Sequence, residues 1–556
     1  MQPSVGRFLV VPFLALVQGG RMSPDERPSN PDEERRKLDA ALARDAAALT
    51  GRDGLRLLGL VTDLSSGLAD GACLERALKI ADIVLPKLSE PTDIAELHFF
   101  LGNVWEGLRT LRRAADEGGW AWDQPELVKA NRAYRTAYTS EGFSSLHRYR
   151  KCQILTNIGN QFDHLGRFVE AIEYWDHALA IDPNFAMAIG NRGMGLWTYA
   201  RHLYDLRHAT VFVRMARAAL TRALERPLEG KAGDFFHRLL ARVDQVLADK
   251  EPEREVHFRE FSLGRSKVEV AYRRTCLMRR LFLNPLNDLG YHTIAARDIL
   301  VTPPMKVPIG EGPRFQGFFN QLKQEYASAR YLFFEGSKEP PGPHFSDREV
   351  VLFDTFDYPV YGLGAEQLKL AFRMSYSILD KVAFFLNEYF RLGIPERNVK
   401  FRTLWFANQR PNDGLRPDLA SRTNLPFRGL YWVSRDLAGP FDPAEDLRGC
   451  LEPEARELAA IRNHLEHKYL KLHELGFPEG GHADTDEPLA DTLAYSINRT
   501  AFEKKSLKML KLARAAIMYV SFAIHREERQ RAAPRTGKGG LVPRLALDRY
   551  PDEWKR

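Results

Sequence analysis

From about residue 36 the apolar and polar positions recur with the period of a helix rather than that of a strand. "DEERRKLDAALARDAAALTG" sets charges beside an Ala/Leu stripe and predicts a helix that stops at Gly51. "GACLERALKIADIVLPKL" repeats the scheme and runs into Pro86. Further on, "GFFNQLKQEYASARYLFFEG" is helical, and "LKLAFRMSYSILDKVAFFLNEYF" predicts a long amphipathic helix ended by "RLGIP". "PEARELAAIRNHLEHKYLKLHEL" predicts another helix, and "SLKMLKLARAAIMYVSFAIHRE" an apolar helix suited to the middle of a bundle. The connectors are rich in Pro, Gly and charge: "LADKEPEREV", "VTPPMKVPIGEGP", "SKEPPGPHFSDREV" and "FANQRPNDGLRPDLASRTNLP". The expectation is an all-α chain, with helices over 36–250, a second helical unit over 255–530, and disorder over 531–556.

Inside the first unit, "LTNIGNQFDHLGRFVEAIEYWDHALAIDPN" resembles a tetratricopeptide repeat (TPR), a helix-turn-helix of about 34 residues. Leu155, Ile158, Gly159 and Phe162 take the signature positions of its first helix; Ala171, Trp175 and Ala178 take those of the second, and Pro183 ends it. Small Gly159 and Ala171 let the two helices touch while the aromatics fill the flanks. One repeat cannot bury its own apolar face, so neighbours are required. "NRGMGLWTYARHLY" supplies a degenerate copy downstream, and "ELHFFLGNVWEGL" with "ANRAYRTAY" another upstream. The resemblance implies a groove for a protein or peptide ligand; the alternative is a platform that only supports the second unit.

The length of 556 residues fits roughly two to four domains, and 44% hydrophobic with 28% charged residues is a globular composition. A net charge of +7 permits polyanion binding without requiring it. Cys73, Cys152, Cys276 and Cys450 are far apart and form no CxxC pair, which disfavours a disulfide framework or structural zinc and fits a reducing cytoplasm. No apolar run reaches the ~18 residues of a membrane span. The opening "MQPSVGRFLVVPFLALVQGGRM" has a short apolar core after Arg7, but "VQGG" lacks a small-x-small cleavage pattern. Met22 is an alternative start, so residues 1–35 are set outside the fold.

The stretch that changes the picture is "AIRNHLEHKYLK". It gathers Arg462, Asn463, His464, Glu466 and His467 on one helix between apolar residues. Histidine titrates near neutrality and can move a proton; arginine is always charged and fork-shaped, suited to a phosphate. Asn463 would orient the phosphate or the imidazole. Glu466 would set an imidazole tautomer, or pair with Lys468 or Arg462. His464 is a helper or a surface histidine. Residues five apart on a helix diverge by about 140°, so Arg462 and His467 do not share one narrow face, whereas Asn463 and His467 do. The alternative is a solvated stripe. No Walker loop, GxGxxG, HExxH or GxSxG motif occurs. Asp380 with Lys381, Asn387 and Glu325 are further polar residues on amphipathic helices. Arg273, Arg274, Arg279 and Arg280 lie among aromatics, as phosphate contacts or as solvated charges.

Arg462 and His467 form an Arg-x4-His pair that resembles the motif of HEPN domains. The motif alone is weak, with roughly two to four chance matches expected in such a chain; Arg201 and His208 also match it and are set aside. The wider stretches "AYRRTCLMRRLFLNPLNDL", "NQLKQEYASARYLFFEG", "FRMSYSILDKVAFFLNEYF" and "IRNHLEHKYLK" are similar to the LA2681-like HEPN family over most of 265–525. Departures are Thr275, where an aromatic is expected, and the poorly matching 391–450. The resemblance implies a metal-independent endoribonuclease without cofactor, a homodimer formed through the HEPN domain, RNA as substrate, and a role in antiphage defence or growth arrest. The alternative it leaves open is an inactive scaffold that only dimerises.

Overall fold

The computed structural model describes residues 30–115, 122, 124–228, 230, 232–248, 255–306, 311–338, 342–437, 451–474, 491, 493–532 and 547–555. The signal-like opening, the junction at 249–254 and most of the tail lie outside them. Helix accounts for 70% of the structure and strand for 3%, so the fold is all-α. Among the described residues no helix is long and apolar enough to cross a membrane.

The first half comprises α1 (Pro31–Leu42), α2 (Gly51–Gly67), α3 (Gly71–Val84), α4 (Pro91–Ala115), α5 (Pro125–Thr139), α6 (Arg148–Leu165), α7 (Phe168–Ile181), α8 (Ala186–Ala200), α9 (Leu206–Leu224) and α10 (Ala232–Leu247). Two boundaries differ from the sequence expectation. Helix α1 begins at Pro31, inside the segment set aside, because Asn30 caps the Asp32 N–H at 3.1 Å and three acidic residues fill the first turn. Gly51 opens a helix instead of closing one: the Thr50 hydroxyl caps the Asp53 N–H at 3.2 Å, and Asp45 breaks the chain earlier.

Helices α4 with α5, α6 with α7, and α8 with α9 form the closest-packed pairs of this half. The contact rests on glycine against aromatic. Trp175 is fully buried between Gly159 and Gly195, and its indole N–H donates to Asn160 at 3.1 Å. A Cβ added at Gly195 would lie 2.1 Å from the Trp175 ring. Gly195→Ala should therefore cost about 1–3 kcal/mol through overpacking, read as a lowered midpoint in chemical denaturation.

The second half comprises α11 (Lys267–Met278), α12 (Arg314–Gly336), α13 (Leu363–Phe390), α14 (Pro417–Ala420), α15 (Leu425–Ser434), α16 (Ala455–His467) and α17 (Arg499–Ala532). Helix α17 is central as its apolar sequence predicts, packing on α12, α13 and α15. The expected helix through Leu475 is corrected. It stops at His467, and Tyr469–His473 forms strand β1, paired in parallel with β2 (Ala494–Asn498). Leu470 and Leu472 are buried, and the strand's backbone groups pair with β2, which the helical reading of "YLKLH" could not anticipate.

The two halves share one hydrophobic core. Phe168 of α7 packs on Tyr519 and Phe522 of α17, and Trp122 on Trp405, Phe427 and Tyr431. Buried ion pairs cross the same seam. Arg135 reaches Asp436 at 2.7 Å and also Glu452; Arg167 reaches Asp436 at 2.7 Å and Glu170 at 2.5 Å. Gly166, at φ 85°, ends α6 against the backbone of Leu425 and Gly429, an approach that excludes a Cβ on either glycine.

Candidate functional site

Helix α16 lies on α13, and the two faces are matched residue by residue. Arg373, Tyr376 and Asp380 recur at i, i+3 and i+7 and so line one face of α13. The Arg373 guanidinium donates to both carboxylate oxygens of Glu466, at 3.3 and 3.4 Å. Arg462 lies with its guanidinium carbon 5.3 Å from the centre of the Tyr376 ring. Burial and the neighbouring Asp380 push the Tyr376 hydroxyl up to about 12, so the ring stays neutral beneath the cation. Asp380 accepts the Phe401 N–H at 3.2 Å. Burial raises its carboxyl above the usual range, partly offset by that bond and by the charge of Arg462.

Arg462 is half-buried and makes no ion pair among the described residues. It is held by an aromatic face and a nearby carboxyl, which leaves its N–H groups available for an incoming anion. His467, the last residue of α16, is exposed, and half-buried Asn463 lies one turn before it. Neither side chain has a hydrogen-bond partner among the described residues. No hydrogen bond joins Arg462 to His467, in keeping with their angular separation.

His464 turns away from this face. Its Nδ1 lies 2.8 Å from the Ala460 carbonyl, which can only accept, so Nδ1 carries the proton. Its ring sits 5.3 Å from that of Tyr495 on β2. Glu466 orients no imidazole and pairs with neither Lys468 nor Arg462; its partner is Arg373. Of the other polar residues, Lys381 and Glu325 pair with each other at 2.5 Å, and Asn387 bonds the Ile394 backbone. Arg280 is bound to Asp176 and Arg273 to Glu269. Sequence reasoning missed Arg373 and Tyr376, although polar residues spaced i, i+3 and i+7 on an amphipathic helix were a readable signal.

The chain end of α16 leads straight into a two-stranded sheet whose open side carries a strap, residues 345–361. The Val360 N–H donates to the Leu472 carbonyl of β1 at 2.6 Å, and buried Lys471 holds Asp357 at 2.7 Å. Beyond these anchors the strap mixes charges (Arg348, Glu349, Asp354) with bare apolar side chains: Phe345, Val351, Phe353, Phe356 and Tyr358 are 74%, 86%, 88%, 69% and 76% exposed.

Along one helix the bundle thus offers an arginine anchored on a ring, an amide and an exposed imidazole. Residues 307–527, which contain this helix, match the family model described as LA2681-like HEPN, and this stretch is an LA2681-like HEPN domain. No curated protein and no solved structure matches the chain.

Proposed function

We propose that the protein is a metal-independent endoribonuclease whose site is built from Arg462, Asn463 and His467. The observation that carries this reading is the state of Arg462 within the LA2681-like HEPN stretch: half-buried, fixed on Tyr376, yet without a carboxylate bound to its fork. A structural arginine so placed would be expected to bind a carboxylate, as Arg167 and Arg330 do. The group supplies a phosphate anchor and stabilises charge that develops on the phosphorus oxygens. His467 moves the proton, and the nucleophile is the substrate's own 2′-hydroxyl, adjacent to the scissile phosphate. Incubating purified protein with total RNA, beside an Arg462→Ala, His467→Ala double variant, tests the reading.

The active form is a homodimer. Arg462 faces α13 while His467 faces solvent, so a second protomer is what would bring one copy's imidazole toward the other's arginine. The bare strap beside β1 supports this, since large exposed apolar patches mark interaction surfaces. Val351→Glu with Phe353→Glu should convert the dimer to monomer in light scattering and lower cleavage with it. A wild-type protein that is monomeric and fully active would sink the dimer.

The TPR-like half binds a protein or peptide partner and targets or restrains the nuclease. The α6–α7 pair, with Trp175 locked between glycines, supports the repeat reading. A role in antiphage defence or growth arrest follows only from analogy with the family. The inactive-scaffold reading differs by one result: no cleavage by a protein that still dimerises.

A further inference from the structure

Far from α16, the last turns of α17 meet the end of α8 in a cluster of cations that the nuclease site does not use. His202 and Phe522 both pack on Phe168, the His202 ring at 5.0 Å and nearly parallel. Tyr204 contacts His525 at 6.1 Å between ring centres. His525, Arg526 and Arg529 therefore run along α17 beside Arg201 and His202, and Arg242 of α10 lies close enough to Arg201 to repel it. Arg201, Arg242, Arg526 and Arg529 are exposed, and the two histidines half-buried.

The acids nearby are committed elsewhere. Asp205 caps the first turn of α9 through the Arg207 and His208 N–H groups. Glu527 binds Arg422 and Asn424, while Glu528 binds Tyr389, Arg531 and the Lys306 N–H. Asp244 pairs with Arg217. Arg242, Arg526 and Arg529 have no ion pair among the described residues. Like charges gathered this way repel one another, and an anion is what relieves them.

We propose that this seam binds a phosphate-bearing ligand, with Arg526 and Arg529 gripping phosphoryl oxygens above His202 and His525, and Arg242 adding its charge from the far side of Arg201. The histidines give the site a pH signature. Burial, then Arg201, Arg526, His525 and Arg529, holds His202 at about 3; burial, then Arg529 and Arg526, holds His525 at about 4. Both are neutral at pH 7. A bound phosphate opposes that field, so binding takes up protons and tightens as pH falls. The ligand chemistry is shared by free nucleotides or polyphosphate and by the backbone of an RNA strand. The site stands apart from the nuclease reading, since it uses none of that site's residues.

The test is titration calorimetry of full-length protein carrying Arg462→Ala and His467→Ala, so that RNA stays intact, with tripolyphosphate, ATP and a short RNA at constant ionic strength. Binding of the small anions assigns a free phosphorylated ligand, and binding of RNA alone assigns a strand backbone; either supports the proposal. Arg526→Ala with Arg529→Ala should weaken binding ~10-fold or more, and affinity should be higher at about pH 5 than at about pH 7, because the histidines start from about 3 and about 4. His525→Gln should flatten that pH dependence. If the double variant melts earlier than its parent, Arg242→Ala, on an exposed position of another helix, gives the same readout. No binding by any of the three probes, or binding that these arginine variants leave unchanged, would overturn the site. So would affinity independent of pH.

Discussion

His467→Ala and Arg462→Ala should each lower RNA cleavage ~10²-fold or more, the scale on which a general acid-base group or a transition-state cation acts. The two losses have different structural backgrounds. His467 is exposed with no partner among the described residues, so its removal should leave the unfolding midpoint unchanged. Arg462 stacks on Tyr376, and its removal costs only the ~0.5–1 kcal/mol of a cation–π contact, because it has no ion pair among the described residues to break. Tyr376 separates positioning from chemistry. Tyr376→Phe keeps the aromatic face and should keep the rate, whereas Tyr376→Leu frees the guanidinium and should lower it ~10-fold. Attack by the 2′-hydroxyl leaves a 2′,3′-cyclic phosphate and a 5′-hydroxyl, so DNA and RNA with a 2′-deoxy cut site should resist. Cleavage should survive EDTA. Scission of DNA, loss of activity in EDTA, or full activity in either variant would place the active site elsewhere.

Cutting the seam between the halves should be more damaging to the fold than any change at α16. Arg167→Ala removes the arginine partner of Glu170 and one of the two arginines, with Arg135, on fully buried Asp436, and should cost about 3 kcal/mol. Residues 255–530 expressed alone would expose Tyr519, Phe522 and Trp432 and strip Asp436 and Glu452 of Arg135 and Arg167, and should fail to give a cooperative unfolding transition. A soluble, cooperatively folded 255–530 fragment would show that the halves are independent.

The seam also sets how stability depends on pH. Burial pushes the Glu452 carboxyl up, but Arg135 and Lys508 outweigh it and hold it at about 2; Lys511 and Arg280 do the same for Glu173. Both lie below an unfolded glutamate near ~4.3, so their contribution is present above that value and is lost as pH falls toward 2. Asp163 has the opposite sign. Burial, only partly countered by Arg428, pushes it up to about 7, so its contribution is present at low pH and lost as pH rises through about 7. Denaturation midpoints should accordingly peak at mildly acid pH.

The helix-forming segments were legible because apolar residues spaced at 3.6 must share a face. The positions of α3, α13 and α17 follow from that pattern directly. Their ends followed less well. Gly51 reads as a stop in the sequence but is a start, because the Thr50 hydroxyl caps the Asp53 N–H. "YLKLH" continues the helical pattern of α16, yet it pairs with Ala494–Asn498, some twenty residues on, and no local signal announces that partner.

For the candidate site, the residue types were in the sequence and their roles were not. Arg462, Asn463, His464, Glu466 and His467 stand within six positions, and helical geometry alone separates Arg462 from His467. What local spacing cannot give is which residue of another helix arrives opposite. Arg373, Tyr376 and Asp380 of α13 lie about eighty to ninety positions away, and only the packing of α13 on α16 makes Glu466 an ion-pair partner and Arg462 a cation left free on a ring. The same holds for the chain as a whole. Sequence determines that both halves are helical, because each turn's hydrogen bonds and apolar stripe are local. Their fusion into one core was a tertiary decision, made where Phe168 meets Phe522 and where Arg135 and Arg167 find Asp436 roughly three hundred residues away.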